Sequence, residues 1–191
     1  VQCVPRYLLR AEEGTDQLSA VLDSFVDRSR EADHFEFFWF PHTRTVRTKT
    51  NTRLPLNAGS EPLTRVSRFL DEEVANNVAF GACAALGSLV PAFTPSINRV
   101  IESVSSSRSY SAESHRVYVT HREMEYGVPL EAVPDVMREL GRLIQRGKYR
   151  VSFPIEVRSA AADSLLLSTA HGRETGYVAV HRYVRDRDTH Y

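Results

Sequence analysis

The chain has 191 residues, enough for one sizeable domain or two small ones with a core that needs no cross-links. Its 24 Lys and Arg balance 24 Asp and Glu, so no net field favours nucleic acid or a membrane surface, and a binder of phosphate backbones would carry a basic excess. The two cysteines, Cys3 and Cys83, are too few for a metal cluster or a disulfide framework; they read as small buried hydrophobes in a reducing, cytoplasmic setting, with membrane association left open.

Tyr7 to Glu13 alternates loosely up to Gly14 and predicts a first strand. Thr15 can then cap a helix that carries Leu18, Val21, Leu22, Phe25 and Val26 on one face. The aromatic run from His34 to Phe40 favours a strand, Pro41-His42 turns the chain, and Thr43 to Thr50 alternates as a hairpin partner. The first third therefore reads β-α-β-β. Asn51 to Pro62 contains Pro55, Gly59 and Pro62 and predicts a loop. Leu63 to Ser106 turns helical, with one stripe of Val66, Phe69, Leu70, Val74 and Val78 and another of Ile97, Val100, Ile101 and Val104. Ser105 to Ser109 closes this insertion as a polar linker. Its most apolar run, Val78 to Val90, is shorter than the ~20 residues of a membrane-spanning helix.

The last third repeats the first in outline. His121 to Val128 sets Arg122, Met124, Tyr126 and Val128 against Glu123, Glu125 and Gly127. Pro129 to Arg146 is an amphipathic helix with Pro134 in its first turn. Its buried face is expected to be Val133, Val136, Met137, Leu140, Leu143 and Ile144, and Gly147 stops it. A strand from Val151 to Arg158 and a final strand from Thr175 to Tyr183 complete a second β-α-β-β unit. The expected fold is α+β: a mostly antiparallel sheet built from two such units, with a helical insertion at about 61–108 and the helices on one face. That leaves the opposite sheet face for a second domain or a ligand.

The 151–158 strand carries the most suggestive chemistry. Alternation puts Val151, Phe153, Ile155 and Val157 on one side and Ser152, Pro154, Glu156 and Arg158 on the other, so Glu156 and Arg158 are same-face neighbours about 7 Å apart. Pro154 marks an edge or a bulge. If the 175–183 strand pairs alongside, Tyr177, Ala179, His181 and Tyr183 share the face with Glu156 and Arg158. A solvated ion pair is the commoner meaning of such a carboxylate and guanidinium. None of the seven histidines shows a His-x3-His spacing, so no metal is expected, and the sequence has no Gly-rich phosphate loop or nucleophile elbow. The aromatics at 35–40 interleaved with Arg44, Arg47, Lys49 and Arg53 have the makings of a single-strand stacking platform. Core aromatics beside a solvated basic hairpin fit the neutral charge better.

Three blocks together resemble the sugar-1,4-lactone oxidases, a branch of the vanillyl-alcohol-oxidase type of flavoproteins that includes gulonolactone and arabinonolactone oxidases and dehydrogenases. They are His34-Phe35-Glu36-Phe37-Phe38-Trp39-Phe40-Pro41, then Glu123-Met124-Glu125-Tyr126 with Val128-Pro129, and Phe153-Pro154-Ile155-Glu156-Val157-Arg158 followed by Ala162-Asp163. The resemblance implies that residues 1–5 end an FAD-binding domain and that 6–191 form a substrate-binding cap domain. The rest of the flavin domain and a His-Trp-Gly-Lys block after Tyr191 are expected outside this sequence. FAD is the implied cofactor and a sugar lactone the implied substrate, with the chain's own FAD-binding domain as partner and no nucleic acid or transmembrane segment. By the same resemblance Glu156 and Arg158 lie near the reactive edge of the flavin and the substrate hydroxyls, with His181 facing substrate. Which group takes the hydroxyl proton stays open. So do two other identities, a sugar-alcohol oxidase cap and a non-catalytic ferredoxin-like binding module.

Overall fold

The computed structural model describes residues 5, 7–55, 81–82, 85–86, 91–104, 108–111 and 121–183. Its strands are β1 (Leu8–Gln17), β2 (His34–Trp39), β3 (Thr45–Leu54), β4 (Arg108–Ser111), β5 (His121–Pro129), β6 (Ile155–Ala160) and β7 (Thr175–Tyr183); its helices are α1 (Leu18–Glu31), α2 (Thr94–Val104) and α3 (Val133–Gly147). The seven strands form one sheet in the order β4-β1-β3-β2-β6-β7-β5, and every neighbouring pair is antiparallel. The two expected β-α-β-β units are β1-α1-β2-β3 and β5-α3-β6-β7, joined side by side through β2 and β6.

One side of the sheet holds the core. Val21, Leu22 and Phe25 of α1 and Val133, Met137 and Ile144 of α3 cluster with Phe35, Phe37, Trp39, Val46, Ile155, Val157 and Val178 from the strands. Phe25 packs edge-on to Phe37, with ring centroids 5.6 Å apart, an arrangement the ring quadrupoles favour. Leu143, expected in this stripe, is 52% exposed. It sits about 100° around the helix from its neighbour Ile144, off the buried face, so the apolar stripe is narrower than its composition implied.

Several boundaries differ from the sequence expectation. β1 continues through Gly14 and Thr15 to Gln17 because its ladder with β3 persists, Gly14 opposite Thr48 and Gln17 opposite Thr45. Thr15 therefore caps nothing; the first helical N–H, that of Leu18, donates to the Arg44 carbonyl at 2.8 Å. The same ladder carries Asn51 to Leu54, expected as loop, into β3 opposite Leu8 to Ala11. Arg108 to Ser111 is likewise a strand, paired with Arg10 to Glu13 of β1, although Arg108 and Ser109 were expected to end a linker. Gly147 ends α3, but the left-handed residue is Lys148 (φ 53°). Gly147 is needed instead because a Cβ there would collide with the ring of Tyr149. The expectations for residues 1–4 with Cys3, for the loop from 56 to 62, for Cys83, for the Val66 to Val78 stripe and for the linker at 105–107 fall outside the described residues. Among the described residues no helix is long and apolar enough to cross a membrane.

β6 begins only at Ile155, and Val151, Ser152, Phe153 and Pro154 are all buried before it. Ser152 and Pro154 thus depart from the expected alternation, since this segment runs under α2 before it joins the sheet. Asn98 of α2, fully buried, donates from Nδ2 to the carbonyls of Val151 (3.2 Å) and Pro41 (2.7 Å). One amide thereby ties the insertion to the approach of β6 and the exit of β2. Asn98→Ala should cost about 1–3 kcal/mol, read as a lower denaturant midpoint at unchanged slope; a shift too small to measure would show that the tether contributes nothing. Gly176 of β7 lies against Val133 with no room for a Cβ. Gly176→Ala should destabilise by about 1–3 kcal/mol through overpacking, whereas Gly172→Ala, with open space but φ +70°, should suffer only the smaller backbone strain, a contrast thermal melts will resolve.

Candidate functional site

The strand register decides which side chains meet on the face away from α1 and α3. Glu156 stands opposite Ala179, which stands opposite Glu125; Arg158 stands between Glu36 on β2 and Tyr177 on β7; His181 stands opposite Glu123. Directly opposed residues of an antiparallel sheet share a face, so β2, β6, β7 and β5 all contribute to one polar patch. Ala179 is the small residue at its centre, and the long side chains on either side lean over it.

Arg158 is the hub. Its Nε and Nη2 donate to Glu125 Oε1 at 3.1 and 2.8 Å, while Glu156 Oε1 is 4.0 Å from Nε. The guanidinium carbon lies 5.7 Å from the centre of the Tyr177 ring, whose hydroxyl shares a 2.7 Å hydrogen bond with Thr169. Glu156 and Arg158 therefore do face the same way, but the closer partner of Arg158 is Glu125. The Arg158 side chain remains 49% exposed, anchored at one edge and available at the other.

Glu156 is different in kind. Its side chain is only 23% exposed, and burial pushes its carboxyl above the ordinary carboxylate range, helped by the Glu36 carboxylate; Arg158 and His181 pull the other way without reversing the shift. Glu36 is itself held 3.0 Å from Lys49, and further along the sheet Glu13 pairs with Arg47 at 2.9 Å. A solvated surface pair would show neither this desolvation nor this density of charge.

His181 joins the patch from its other end. It is 8% exposed, Nδ1 lies 3.0 Å from the Pro154 carbonyl, and Nε2 lies 3.7 Å from Glu123 Oε2. His121 approaches from the edge strand, its ring centre 5.2 Å from that of His181. Pro154 is thus neither in an edge strand nor a bulge: it precedes a central strand, and its carbonyl orients a histidine.

The sequence brought Glu156, Arg158 and His181 to one face. It missed Glu125, Glu123, His121 and Glu36, although alternation in His121 to Val128 already set Glu123 and Glu125 on one side. The missing signal was which strand lies next to which. After β6, the loop to β7 is fixed by Asp163, which accepts hydrogen bonds from Leu165 N (2.9 Å) and Ser168 Oγ (2.5 Å). These bonds hold its carboxyl below the usual range.

A family model described as D-arabinono-1,4-lactone oxidase matches residues 1–191. An L-gulono-1,4-lactone dehydrogenase of Mycobacterium tuberculosis is 34% identical over 96% of this chain and 43% of its own length. L-gulonolactone oxidases of Mus musculus and Scyliorhinus torazame are 23% and 22% identical over the same share of this chain and 42% of theirs. The chain thus spans less than half the length of these relatives. Among solved structures, cholesterol oxidase from B. sterolicum superposes with a TM-score of 0.64 at 13% identity, over 95% of this chain and 44% of that one. A solvent-stable cholesterol oxidase gives 0.58 at 18% identity, over 95% and 44%. At such identities the likeness is one of fold. The extended match to the family model and the mycobacterial relative go further: this chain belongs to the D-arabinono-1,4-lactone oxidase family.

Proposed function

We propose that this chain is the substrate-binding domain of an FAD-dependent oxidoreductase that oxidises an aldono-1,4-lactone of the gulono- or arabinono-lactone type by hydride transfer to flavin. In this reading residues 1–5 end the FAD-binding domain and residues 6–191 supply the substrate-facing wall. The observation that carries it is the convergence of Glu156 and Arg158 of β6 with Glu125 of β5, across the intervening β7, on the sheet face that α1 and α3 leave uncovered.

The residues present fit one edge of a flavin and no more. Arg158 offers a half-exposed cation fixed by Glu125, suited to negative charge on the reduced ring. The sequence has no Gly-rich turn for a pyrophosphate, so the rest of the cofactor belongs to the other domain. When bound, FAD supplies the two-electron acceptor for the hydride leaving the carbinol carbon.

The chain's own groups handle the substrate oxygen and its proton. Arg158 donates hydrogen bonds that orient that oxygen and stabilise negative charge developing on it as the O–H proton departs. Glu125 keeps the guanidinium aimed. Glu156, raised toward the pH at which proton transfer is efficient, accepts the hydroxyl proton or a hydrogen bond from a neighbouring hydroxyl. His181, held by Pro154, lines the substrate side.

In the full-length protein Arg158→Ala should slow lactone-dependent flavin reduction by about 10²- to 10³-fold with flavin content unchanged. Unaltered stopped-flow reduction would remove Arg158 from the chemistry. Faster reduction by open-chain polyols than by lactones would move the assignment to a sugar-alcohol oxidase. The Glu156 carboxyl should titrate above its ordinary value of 4.5, with Glu36→Gln lowering the midpoint and Arg158→Ala raising it. A raised folded-state value means that Glu156 binds more protons folded than unfolded, so its contribution to stability is lost as pH rises between the unfolded and folded midpoints. Carboxyl-carbon NMR checks both statements; a midpoint at or below 4.5 would contradict them.

A further inference from the structure

We propose that His121, Glu123 and His181 form a binding site for a divalent transition-metal ion, of which zinc is the best match, at the β5–β7 end of the polar face. His121 and Glu123 are two residues apart on β5 and so project to the same side, and Glu123 lies directly opposite His181 on β7. One potential ligand atom from each lies within 4.8 Å of the other two. Nε2 of His181 and Nε2 of His121 stand 3.7 and 3.9 Å from the same oxygen, Glu123 Oε2. These separations are too long for hydrogen bonds. They approach the roughly 3.3 Å between neighbouring ligands on a tetrahedral ion with bonds of ~2.0 Å.

A carboxylate between two imidazoles is also what an ion pair looks like, and metal binding separates the two; the orientation of His181 fixes which of its nitrogens meets the ion. Its Nδ1 lies 3.0 Å from the Pro154 carbonyl. A carbonyl only accepts, so Nδ1 carries a proton, and Nε2 on the Glu123 side is the nitrogen whose lone pair an ion can take. Metal-binding histidines are held in this way, the far nitrogen donating to a backbone carbonyl or carboxylate that fixes tautomer and ring plane. His181 is buried and therefore preset, whereas His121 is half-buried on the edge strand, where a small side-chain rotation closes the set.

The surroundings favour a cation. Glu125, two residues along β5 from Glu123, and Glu156, opposite Ala179 and so diagonal to His181, neighbour the cluster, and among the described residues Glu123 forms no ion pair with lysine or arginine. Two imidazoles and one carboxylate suit zinc and its first-row neighbours better than calcium or magnesium, and three protein ligands leave a fourth position for water or a ligand oxygen. The spacing along the chain hides this set, because its third member comes from another strand.

The site stands or falls independently of which sugar is oxidised, so the readout is binding. In the metal-stripped full-length protein at neutral pH, Zn²⁺ competed against a chromophoric chelator should bind saturably at one equivalent, and Co²⁺ in its place should give the visible absorption of a four-coordinate ion. Glu123→Gln and His181→Ala should each weaken binding tenfold or more, and His171→Ala, on the β6–β7 loop, should leave it unchanged. Glu123 is exposed, so its Gln variant keeps the fold and the test decisive even if His181→Ala does not. Absence of saturable Zn²⁺ binding, or binding undiminished by Glu123→Gln, would overturn the proposal. So would a loss of binding confined to His171→Ala, which would locate the ion elsewhere.

Discussion

The structure turns on the burial of Ile155 and Val157. Both are wholly excluded from solvent within the cluster that α1 and α3 close over the sheet. Each fully buried side chain of this size contributes on the order of 1.5–3 kcal/mol of transfer free energy, and a one-residue slip of β6 would expose both while burying Glu156 and Arg158 against the helices. Register is therefore enforced from the apolar side. The polar side inherits it: once Ile155 and Val157 face the core, Glu156 and Arg158 face the patch shared with β7 and β5.

On that patch the balance of charge matters more than any one pair. Arg158 is shared between Glu125 and Glu156, and the closer carboxylate takes the hydrogen bonds. Glu156 is left partly desolvated with Glu36 near it, and its carboxyl is raised as a consequence. Two neighbouring carboxylates thus acquire different characters, one an anchor for a cation and one poised nearer to proton exchange. Environment produces such division between chemically identical groups, and sites that handle protons depend on it.

Local pattern in the chain reported most of the fold. The two β-α-β-β units, the aromatic strand β2 and the amphipathic helix α3 are all legible from alternation and helical periodicity. What local pattern does not report is how far a ladder continues. β1 runs past Gly14, and β3 past Thr50, because each has a partner that keeps pairing. Arg108 and Ser109 are polar enough to read as linker and become strand only by lying beside β1. The site divides along the same line. Glu156 and Arg158 share a face by period two alone, and His181 follows if one neighbour is guessed correctly. Glu125 becomes the partner of Arg158 only through the order β6-β7-β5, a property of the sheet that no stretch of sequence encodes locally. His181 needed still more, since its orientation comes from the carbonyl of Pro154, a residue whose side chain pointed to a bulge.

The central claim is that the polar face of β6, β7 and β5 is a wall of the substrate site. A crystal structure of the full-length protein with an aldonolactone bound tests it most directly. The expected result is ligand oxygens within hydrogen-bonding distance, about 2.7–3.2 Å, of the Arg158 guanidinium and the Glu156 carboxyl, with the flavin on the same side of the sheet. A lactone and flavin bound elsewhere, with Glu156, Arg158 and Glu125 facing open solvent, would contradict the claim.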